Sequence, residues 1–569
     1  MKYSGAECKR NTTKGCVQGS IAGPTFWNLL LDPLLQELED SHIHCQAFAD
    51  DVVLIFSGDT ALELESQINV SLARVSEWGT KNKLKFAPHK TNAMLLTNKL
   101  KYDTPRLRMG TTDIELVNEI KILGLIIDRK LTFQSHVAYV CKKAINIYKG
   151  LARAAKVTWG LNPEVVRTIY VAVIEPIILY ASSAWVKAAD KVYIKNQLNT
   201  VMRGFAQKIC KAHKTVSMNS ALILTGLLPL DLRVKEAASL YEAKKGKPQP
   251  VLKGRKVEER ASPLQRPHPS QEIQLNFECL ESEAEVQARM TDGAAHIFTD
   301  GSKIEGKVGS ALSWWNSGNE VTCRKFKLED HCTVFQAELY AVYRATELAK
   351  TRKETTLHVY SDSRSTLELL RGSDSSHQLA AKTKDNIACL SKKGKEVVLF
   401  WVKAHIGIEG NKRADVLAKE AALKKKTKAD YDDYPVSFIK RMIREGTVDE
   451  WNRRYTKEDK ANVTKIFFPD AVNAYRIRTK INVTPLHTQM FTGHGGFSEY
   501  LHRFKKKDSA ACVCDPAVPE TVPHILFDCP RFGKARFDIS QILDIDINLN
   551  SAYLSDRICG NPYCMINRN

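Results

Sequence analysis

Four acidic residues and one histidine in the middle of the chain have the types and spacing that metal-assisted hydrolysis requires. The acids are Asp300, Glu338, Asp362 and Asp415, and the histidine is His405. Carboxylates suit magnesium, which takes oxygen ligands and keeps several of its waters. Two such cations about 3.5–4 Å apart can clamp the attacking and leaving oxygens of a phosphodiester. The histidine, in a loop beside a glycine, could move protons at the leaving group or help release product.

The elements predicted around these residues alternate between strands and helices. Apolar runs predict strands that deliver Asp300 and Asp362 at their ends, and helical periodicity places Glu338 near a helix start. The predicted strands are 295–299, 309–315, 321–328, 356–360 and 397–402, and the predicted helices are 333–350 and one containing Asn411 and Asp415. A lone Asp at such a place is more often a helix cap or turn former. Four acids that all lie near predicted strand or helix ends favour one shared metal site instead.

The motifs that carry these residues resemble those of type 1 ribonuclease H domains. They are Thr299-Asp300-Gly301-Ser302, Gln336-Ala337-Glu338-Leu339, Tyr360-Ser361-Asp362-Ser363, Trp401-Val402-Lys403-Ala404-His405-Ile406-Gly407 and Gly410-Asn411-Lys412-Arg413-Ala414-Asp415. The resemblance implies a mixed five-stranded sheet with helices on both sides. It also implies two Mg²⁺ ions, replaceable by Mn²⁺, and cleavage of the RNA strand of RNA–DNA hybrids. It assigns the four acids as catalytic metal ligands, His405 as catalytic, and Asn411 as a nucleic-acid contact.

A second acidic pair, Asp50 and Asp51, lies between two apolar runs that predict a β-hairpin with the acids at its tip. Such a pair is usually only a turn. Together with segments 14–24, 84–91 and 122–128, however, it resembles the palm of reverse transcriptases from non-LTR retrotransposons, particularly jockey-like and insect ribosomal-DNA-inserting lineages. The resemblance implies metal ligands at the two aspartates and nucleic-acid contacts at Gln18, Gly19 and Lys90.

The predicted palm departs from this family in one respect that matters for activity. A polymerase site needs a third carboxylate, on a strand before the glycine-rich segment, to hold both metals. The residues before Gly15 contain no acid placed on such a strand. We therefore expect an N-terminally truncated palm, from a truncated gene or a decayed element copy, and no DNA polymerisation by this chain alone.

The cysteines near the C-terminus form a candidate zinc site. The predicted ligands are Cys512, Cys514, His524 and Cys529. Zinc in closed structural sites prefers such Cys and His donors, and the same arrangement ends the resembling polyproteins. The first gap is shorter than the usual two residues, so reduced, unliganded thiols are the alternative. Cys559 and Cys564 could compete as ligands.

The bulk composition predicts a multidomain intracellular protein that binds a polyanion. The chain has 569 residues, 43% of them hydrophobic, and a net charge of +20. Residues 134–256 contain 21 Lys/Arg and 6 Asp/Glu, a net of 21 − 6 = +15, which suits nucleic acid because bound phosphates release counterions. No apolar run approaches the roughly 20 residues of a membrane span. We expect a nuclear or cytoplasmic location, no membrane partner, and no small-molecule cofactor beyond metals.

The fold class expected is α/β multidomain, with a ribonuclease H-like mixed sheet and flanking helices behind a partial polymerase palm and a helical thumb. The predicted segments are 1–129 (partial palm), 130–245 (basic helical thumb or connection), 246–290 (linker), 291–425 (ribonuclease H domain) and 431–569 (C-terminal region with the Cys/His cluster). Proline and charge dominate the predicted linker and disfavour a core there.

Three functional hypotheses follow. The first is a magnesium-dependent ribonuclease H within a retrotransposon reverse transcriptase polyprotein, acting on RNA–DNA hybrid and binding RNA and DNA. The second is a non-catalytic nucleic-acid-binding remnant. The third is an active reverse transcriptase if upstream sequence completes the palm. The complete acidic set favours the first, because a decaying copy tends to lose one of four dispensable acids.

Overall fold

The computed structural model describes residues 19–154, 160–247, 254, 256–261, 274–290, 293–372, 377–404, 406–424, 427–478, 483–544 and 547, with the backbone of residues 2–3 and 6–7. The chain divides into two units, residues 1–142 and 143–569. Gln18, His405, Cys559 and Cys564 lie outside the described residues.

The first unit is built from short strands and three helices. Its elements are β1 (Lys2–Tyr3), β2 (Ala6–Glu7), α1 (Gly23–Asp40), β3 (His44–Phe48), β4 (Asp51–Ile55), α2 (Ala61–Lys81), β5 (Asn92–Ala93), β6 (Arg108–Met109), β7 (Thr112–Asp113), β8 (Glu115–Leu116), β9 (Glu119–Ile122), β10 (Leu125–Asp128) and α3 (Gln134–Ala154), the last continuing beyond residue 142. The predicted hairpin is confirmed, because β3 and β4 pair antiparallel from His44 opposite Ile55 to Phe48 opposite Asp51. Leucines of α1 pack with Leu72, Val75 and Trp78 of α2 in the core of this unit.

In the described part of the second unit, two groups of helices lie before and after a sheet in sequence. The first group is α4 (Pro163–Ile169), α5 (Glu175–Leu179), α6 (Ser182–Trp185), α7 (Val192–Ile209), α8 (Met218–Thr225) and α9 (Leu230–Lys244). The second group is α15 (Val436–Lys457), α16 (Asn462–Phe467), α17 (Ala471–Arg478), α18 (Pro485–Thr492) and α19 (Ser498–Arg503), followed by β17 (Ala511–Cys512), β18 (Asp515–Pro519) and α20 (Gly533–Leu543). Shorter 3₁₀ or π turns occupy Pro88–Lys90, Tyr170–Ile174, Val186–Asp190, His524–Asp528 and Pro530–Phe532.

Between these groups lies one six-stranded mixed sheet with its helices. The elements are β11 (Phe277–Leu280), α10 (Glu283–Arg289), β12 (Ala294–Ile304), β13 (Lys307–Asn316), β14 (Asn319–Leu328), α11 (Val334–Ala349), β15 (Thr356–Ser361), α12 (Arg364–Arg371), α13 (Gln378–Lys392), β16 (Glu396–Val402) and α14 (Glu409–Lys424). The strand order is β11-β16-β15-β12-β13-β14. The first four strands are parallel, and β13 and β14 are added antiparallel. The predicted mixed sheet with flanking helices is confirmed.

Both faces of this sheet are buried, as the apolar strands require. Side chains alternate along a strand, so Ile297 joins a core with α11, α12 and α13, whereas the next residue, Phe298, joins a core with Val286 of α10 and Ala414 of α14. Phe298, Tyr360 and Phe400 stack across three neighbouring strands on that second face. Helices therefore cover both faces and fix β12 and β15, the strands in or next to which the acids lie.

Two sequence expectations about this domain are wrong. The sheet has six strands, not five, and the last part of the predicted linker 246–290 belongs to it. Strand β11 pairs parallel with β16, from Phe277 opposite Leu399 to Leu280 opposite Val402. Helix α10 then buries Val286 completely. The strand is only four residues long, with a charged residue inside it, so its local pattern is too weak to separate it from the proline-rich stretch before it.

The two helix groups of the second unit pack on each other, although the six-stranded sheet separates them in sequence. Arg454 of α15 donates to Asp231 of α9 at 2.7 Å, and Arg444 pairs with Glu236 at 2.8 Å. Thr464 also donates to Ser220 at 2.7 Å. We call residues 160–247 and 436–503 together the helical module. Asp231 and Glu236 are only 2% and 6% exposed, so these ion pairs form its interior.

Within the described residues, no single helix is long and apolar enough to cross a membrane. One bent pair, Pro163–Leu179 with Ser182–Asp190, reaches the required length and composition with a 53° bend. Tyr170, Ile174, Ile178 and Trp185 in this pair are fully buried in the protein.

Candidate active site

Three of the predicted catalytic carboxylates converge at one edge of the sheet. Asp300, Glu338 and Asp362 each offer one oxygen, and these oxygens lie within 4.8 Å of one another. Asp415 lines the same cleft from α14 and forms an ion pair with Lys419 at 2.7 Å. The structure therefore brings together all four predicted acids.

Each acid is delivered by a different element. Asp300 lies within β12, Glu338 in the first turns of α11, and Asp362 directly after β15. The start of α11 is fixed by a reciprocal capping box, in which Thr333 and Gln336 satisfy each other's backbone N–H groups. Gly301 lets this helix approach β12, because a Cβ there would lie 2.4 Å from the backbone nitrogen of Glu338.

Neighbouring polar groups hold Asp362 in place. The side-chain amide of Asn411 donates to its carboxylate at 3.4 Å, and the Trp401 indole donates to its backbone carbonyl at 3.0 Å. Thr299 donates to the carbonyl of Tyr360 at 3.1 Å and so joins β12 to β15 just before the acids. Such outer contacts orient metal ligands.

The electrostatics of the cluster require a positive partner. Burial and the nearby Asp362 and Asp415 raise the pKa of Asp300 to about 7. Burial and the charge of Asp300 raise the pKa of Glu338 well above its usual range. One carboxylate oxygen of Glu338 is buried with no hydrogen-bond partner. Crowded, desolvated carboxylates with an unsatisfied oxygen fit a hard divalent cation, which favours their ionised forms.

The cleft around the acids has a volume of about 240 Å³. Its lining residues are Asp300, Gly301, Glu338, Asp362, Lys403, Ile406, Gly407, Ile408, Asn411, Lys412 and Asp415. No role was predicted for Lys403 and Lys412, although both lie in the motifs that carry His405 and Asp415. Their charge and their place on the rim are suited to a phosphate backbone.

The β11–α10 segment contacts Lys403 and lies close to Gly407, and neither approach was predicted from the sequence. The backbone N–H of Lys403 donates to the carbonyl of Leu280 at 3.3 Å. A Cβ at Gly407 would lie 3.1 Å from a carboxylate oxygen of Glu283. Segment 277–283 therefore lies beside both residues, and no local motif signals this.

The predicted polymerase residues lie in the first unit. Asp50 is in the hairpin turn and Asp51 begins β4, with Trp27 donating to the carbonyl of Ala49 at 2.6 Å. Gly19 has a φ of +87° before α1, and Lys90 is exposed at the end of a 3₁₀ turn. Among the described residues, the two groups of three or more potential metal ligands are at the nuclease site and the Cys/His cluster, not at this hairpin.

The four predicted zinc ligands also converge. One ligand atom from each of Cys512, Cys514, His524 and Cys529 lies within 4.8 Å of the others. The Cys514 sulfur is 3.2 Å from Nε2 of His524, and the Cys512 and Cys529 sulfurs are 3.8 Å apart. The backbone N–H of Cys514 lowers the pKa of Cys512 to about 6, whereas burial and the neighbouring thiols raise that of Cys514 to about 12. A softer cation would relieve this competition.

Comparisons with known proteins agree with this geometry. Residues 292–423 match the RNase H family, and residues 1–127 match the family described as reverse transcriptase (RNA-dependent DNA polymerase). The putative 115 kDa protein in type-1 retrotransposable element R1DM of Drosophila melanogaster is 32% identical over 238 residues, which are 42% of this chain and 23% of that protein. The Retrovirus-related Pol polyprotein from type-1 retrotransposable element R1 2 of Nasonia vitripennis is 32% identical over 237 residues, 41% of this chain and 58% of that protein.

A solved structure, RNase H1 from the halophilic archaeon Halobacterium salinarum NRC-1, aligns with 22% of this chain and 96% of its own at 21% identity and a TM-score of 0.20. The aligned part of this chain spans less than two thirds of the length of either curated relative. The resemblance expected from the motifs is confirmed. Residues 1–127 are thus similar to reverse transcriptases and residues 292–423 to RNase H, and parts of the chain are similar to proteins of R1-type non-LTR retrotransposons.

Proposed function

We propose that residues 292–423 hydrolyse the RNA strand of RNA–DNA hybrids with two divalent metal ions. The observation that carries this proposal is the convergence of Asp300, Glu338 and Asp362 within 4.8 Å in the matched domain. The raised pKa of Asp300 and the unsatisfied oxygen of Glu338 support a cation between them. Mg²⁺ is the expected ion and Mn²⁺ its substitute.

Asp300, Glu338, Asp362 and Asp415 would hold the ions. When bound, a pair of divalent ions supplies charge stabilisation for in-line displacement at phosphorus. Lys403 and Lys412 on the rim would position the hybrid's backbone, and Asn411 keeps the carboxylate of Asp362 aimed into the cleft. His405 would hold a proton at the leaving oxygen.

The test is cleavage of a labelled RNA–DNA hybrid with Mg²⁺ by the full chain and by its Asp362→Asn variant. We expect cleavage of the RNA strand by the wild type and a loss of at least about 100-fold in the variant. Asp385→Asn is the matched control, because Asp385 is exposed on α13, and it should cleave normally. Equal cleavage by wild type and Asp362→Asn, or equal cleavage of RNA alone, would contradict the assignment.

The alternative, a non-catalytic nucleic-acid-binding remnant, makes the opposite prediction. It requires hybrid binding with no cleavage in Mg²⁺ or Mn²⁺. The complete acidic set favours the nuclease, and the same assay separates the two. In either case RNA and DNA are the proposed partners and the proposed location is nuclear or cytoplasmic.

We further propose that this chain alone does not extend a primer. Asp50 and Asp51 lie together at the hairpin, and among the described side chains no third carboxylate joins them. The expectation that no acid before Gly15 lies on a strand is wrong, because Glu7 lies on β2, but its side chain is outside the described part of the structure. A primer-template assay with Mg²⁺ should give no product. If the wild type extends the primer and Asp50→Asn does not, then the missing carboxylate is supplied. That result would restore the reverse transcriptase hypothesis for this chain.

A structural zinc ion is the second proposed ligand, at the Cys/His cluster. The donor set and its convergence within 4.8 Å support it. We expect close to one zinc per chain after purification without added metal, and loss of that zinc in Cys529→Ser but not in Cys389→Ser, which lies outside the cluster. Equal zinc content in both variants would contradict the site and favour free thiols.

A further inference from the structure

Two basic segments about 290 residues apart in sequence meet on the surface of the second unit. The first is the loop 211–215 after α7, and the second is the segment 502–507, which comprises the last two residues of α19 and the four that follow. The hydroxyl of Thr215 lies 2.7 Å from the Tyr500 hydroxyl and 3.0 Å from Nδ1 of His494. Thr488 also donates to the carbonyl of Cys210 at 2.5 Å. The two segments are therefore held side by side by one buried and two exposed polar contacts.

Both segments carry positive charge with little compensation. Residues 191–230 contain six Lys/Arg and no Asp/Glu, and residues 500–507 contain four Lys/Arg and no Asp/Glu. Lys214, Arg503, Lys505 and Lys506 are exposed. None of these four side chains forms an ion pair with a described residue. The nearest acids in sequence are Glu499 and Asp508 at the ends of the second segment.

The loop is held in a shape that presents these charges outward. Gln207 of α7 donates to the carbonyl of Lys214 at 3.1 Å, so this backbone is tied to the helix. His494 lies beneath the junction. Burial, with the nearby charges of Arg503 and His213, lowers its pKa to about 4, which keeps it neutral at physiological pH. The junction itself thus adds no charge, and the positive side chains lie around it.

An exposed aromatic ring lies among the lysines. Phe504 is 42% exposed, its ring centroid is 4.8 Å from that of Tyr500, and Tyr500 in turn lies 4.9 Å from His494. The ring is thus supported from one side while remaining accessible. Lysines that follow a backbone beside an accessible ring are the arrangement that binds single strands, because every base can stack on such a ring.

We propose that loop 211–215 and segment 502–507 form one sequence-independent binding surface for a single nucleic-acid strand. We call it the junction surface. It needs both parts of the helical module, so neither the thumb nor the C-terminal region provides it alone. The inference does not depend on the nuclease, because single strands are not the proposed substrate of Asp300 and its neighbours.

The test is the affinity of the full chain for a labelled uridine RNA of about 20 nucleotides, measured by fluorescence anisotropy against salt. All proteins carry Asp362→Asn. The buffer contains no chelator, so that a bound zinc ion is retained. The variants are Lys211→Gln with Lys214→Gln, Lys505→Gln with Lys506→Gln, and both pairs combined. Lys392→Gln with Lys393→Gln is the matched control, since these exposed lysines end α13, before β16 starts and therefore away from the acids.

Each junction pair should lower the slope of log affinity against log salt by about 1.4, and the combination by about 2.8, because each phosphate contact on a single strand contributes about 0.7. The affinity deficit of each pair should accordingly shrink about sevenfold between about 50 and 200 mM salt. The control pair should leave the slope unchanged. Phe504→Ala should weaken binding at least about fivefold at every salt concentration and leave the slope as it is.

Three results would overturn the proposal. One is a slope change from only one junction pair, which would mean two separate segments rather than one surface. Another is a loss in the control pair equal to that in the junction pairs, which would indicate net charge alone. The third is salt-sensitive binding of these lysines to phosphatidylserine vesicles without binding to the RNA. The same measurement with a thymidine DNA strand shows whether the surface prefers RNA or DNA, and binding of either one supports the proposal. Hybrid cleavage by the same variants without Asp362→Asn reports separately on the proposed nuclease.

Discussion

Replacing Asp300 by Asn should stabilise the metal-free nuclease domain while abolishing its cleavage activity. The pKa of this carboxyl is about 7 in the folded protein, against an ordinary value of 3.8. The folded state therefore binds more protons than the unfolded state between these pH values, and the free energy of unfolding falls as the pH rises from about 4 to about 7. Above pH 7 the cost is fully expressed. About three pH units at 1.36 kcal/mol each set its upper size at about 4 kcal/mol.

The amide that replaces this carboxyl in the variant cannot ionise, so that cost is removed. We expect wild type and Asp300→Asn to be equally stable near pH 4 and the variant to be more stable by about 2–4 kcal/mol near pH 8 without metal. Hydrogen exchange of the β12 and β15 backbone amides measures this gain in stability within the nuclease domain. For amides that exchange only when the domain unfolds, exchange in the variant should be about 30- to 1000-fold slower than in the wild type. Added Mg²⁺ should slow exchange in the wild type, because a ligand that binds only the folded state stabilises it, and should have a much smaller effect in the variant.

Asp385→Asn provides the control, because its exposed carboxylate leaves the core unchanged and should alter neither exchange nor its pH dependence. The reasoning would be refuted if Asp300→Asn exchanged as fast as wild type near pH 8 without metal. It would also be refuted if the two proteins differed equally at both pH values, since packing rather than charge would then be responsible.

Three further perturbations test the framework around the site. Gly301→Ala would place a Cβ 2.4 Å from the Glu338 backbone nitrogen. We therefore expect the variant to be destabilised by about 1–3 kcal/mol in thermal unfolding and to cleave more than tenfold more slowly. Gly446→Ala, with open space around its Cβ, is the control and should change neither result. Asn411→Ala removes the amide that contacts Asp362, so the Mg²⁺ concentration for half-maximal cleavage should rise about 10- to 100-fold, and an unchanged metal dependence would contradict this role. Arg454→Met leaves the buried Asp231 unpaired and should cost about 3 kcal/mol in urea unfolding; the double change with Asp231→Leu should recover most of it, and no recovery would mean that the pair is not the cause.

Much of the site could be predicted from the sequence because its determinants are local. Apolar runs lead into Asp300 and Asp362, and a helical pattern begins just before Glu338, so these local patterns place three acids. The expectation that Asp300 ends its strand is wrong, because β12 continues past it and pairs with β13 as far as Ile304. The hairpin at Asp50 is similarly local. Its short runs and turn residues are sufficient, because an antiparallel pair needs only neighbouring segments.

Tertiary structure alone decided which distant segments complete these elements. Strand β11 has little pattern of its own and becomes a strand because the edge of β16 offers it hydrogen-bonding partners. The helical module joins residues 160–247 to 436–503 through buried ion pairs such as Asp231–Arg454, and no periodicity within either group encodes the other as partner.

The charged groups show the same distinction between what local sequence determines and what tertiary structure determines. The sequence by itself determined that four acids, a Cys/His set and two basic segments exist. Their spacing and burial, which folding alone fixes, raised the pKa of Asp300 to about 7 and brought Thr215 to Tyr500. The physical reason is that ionisation and polyanion binding depend on distances through space, and residues far apart in the chain set those distances only once the core has formed.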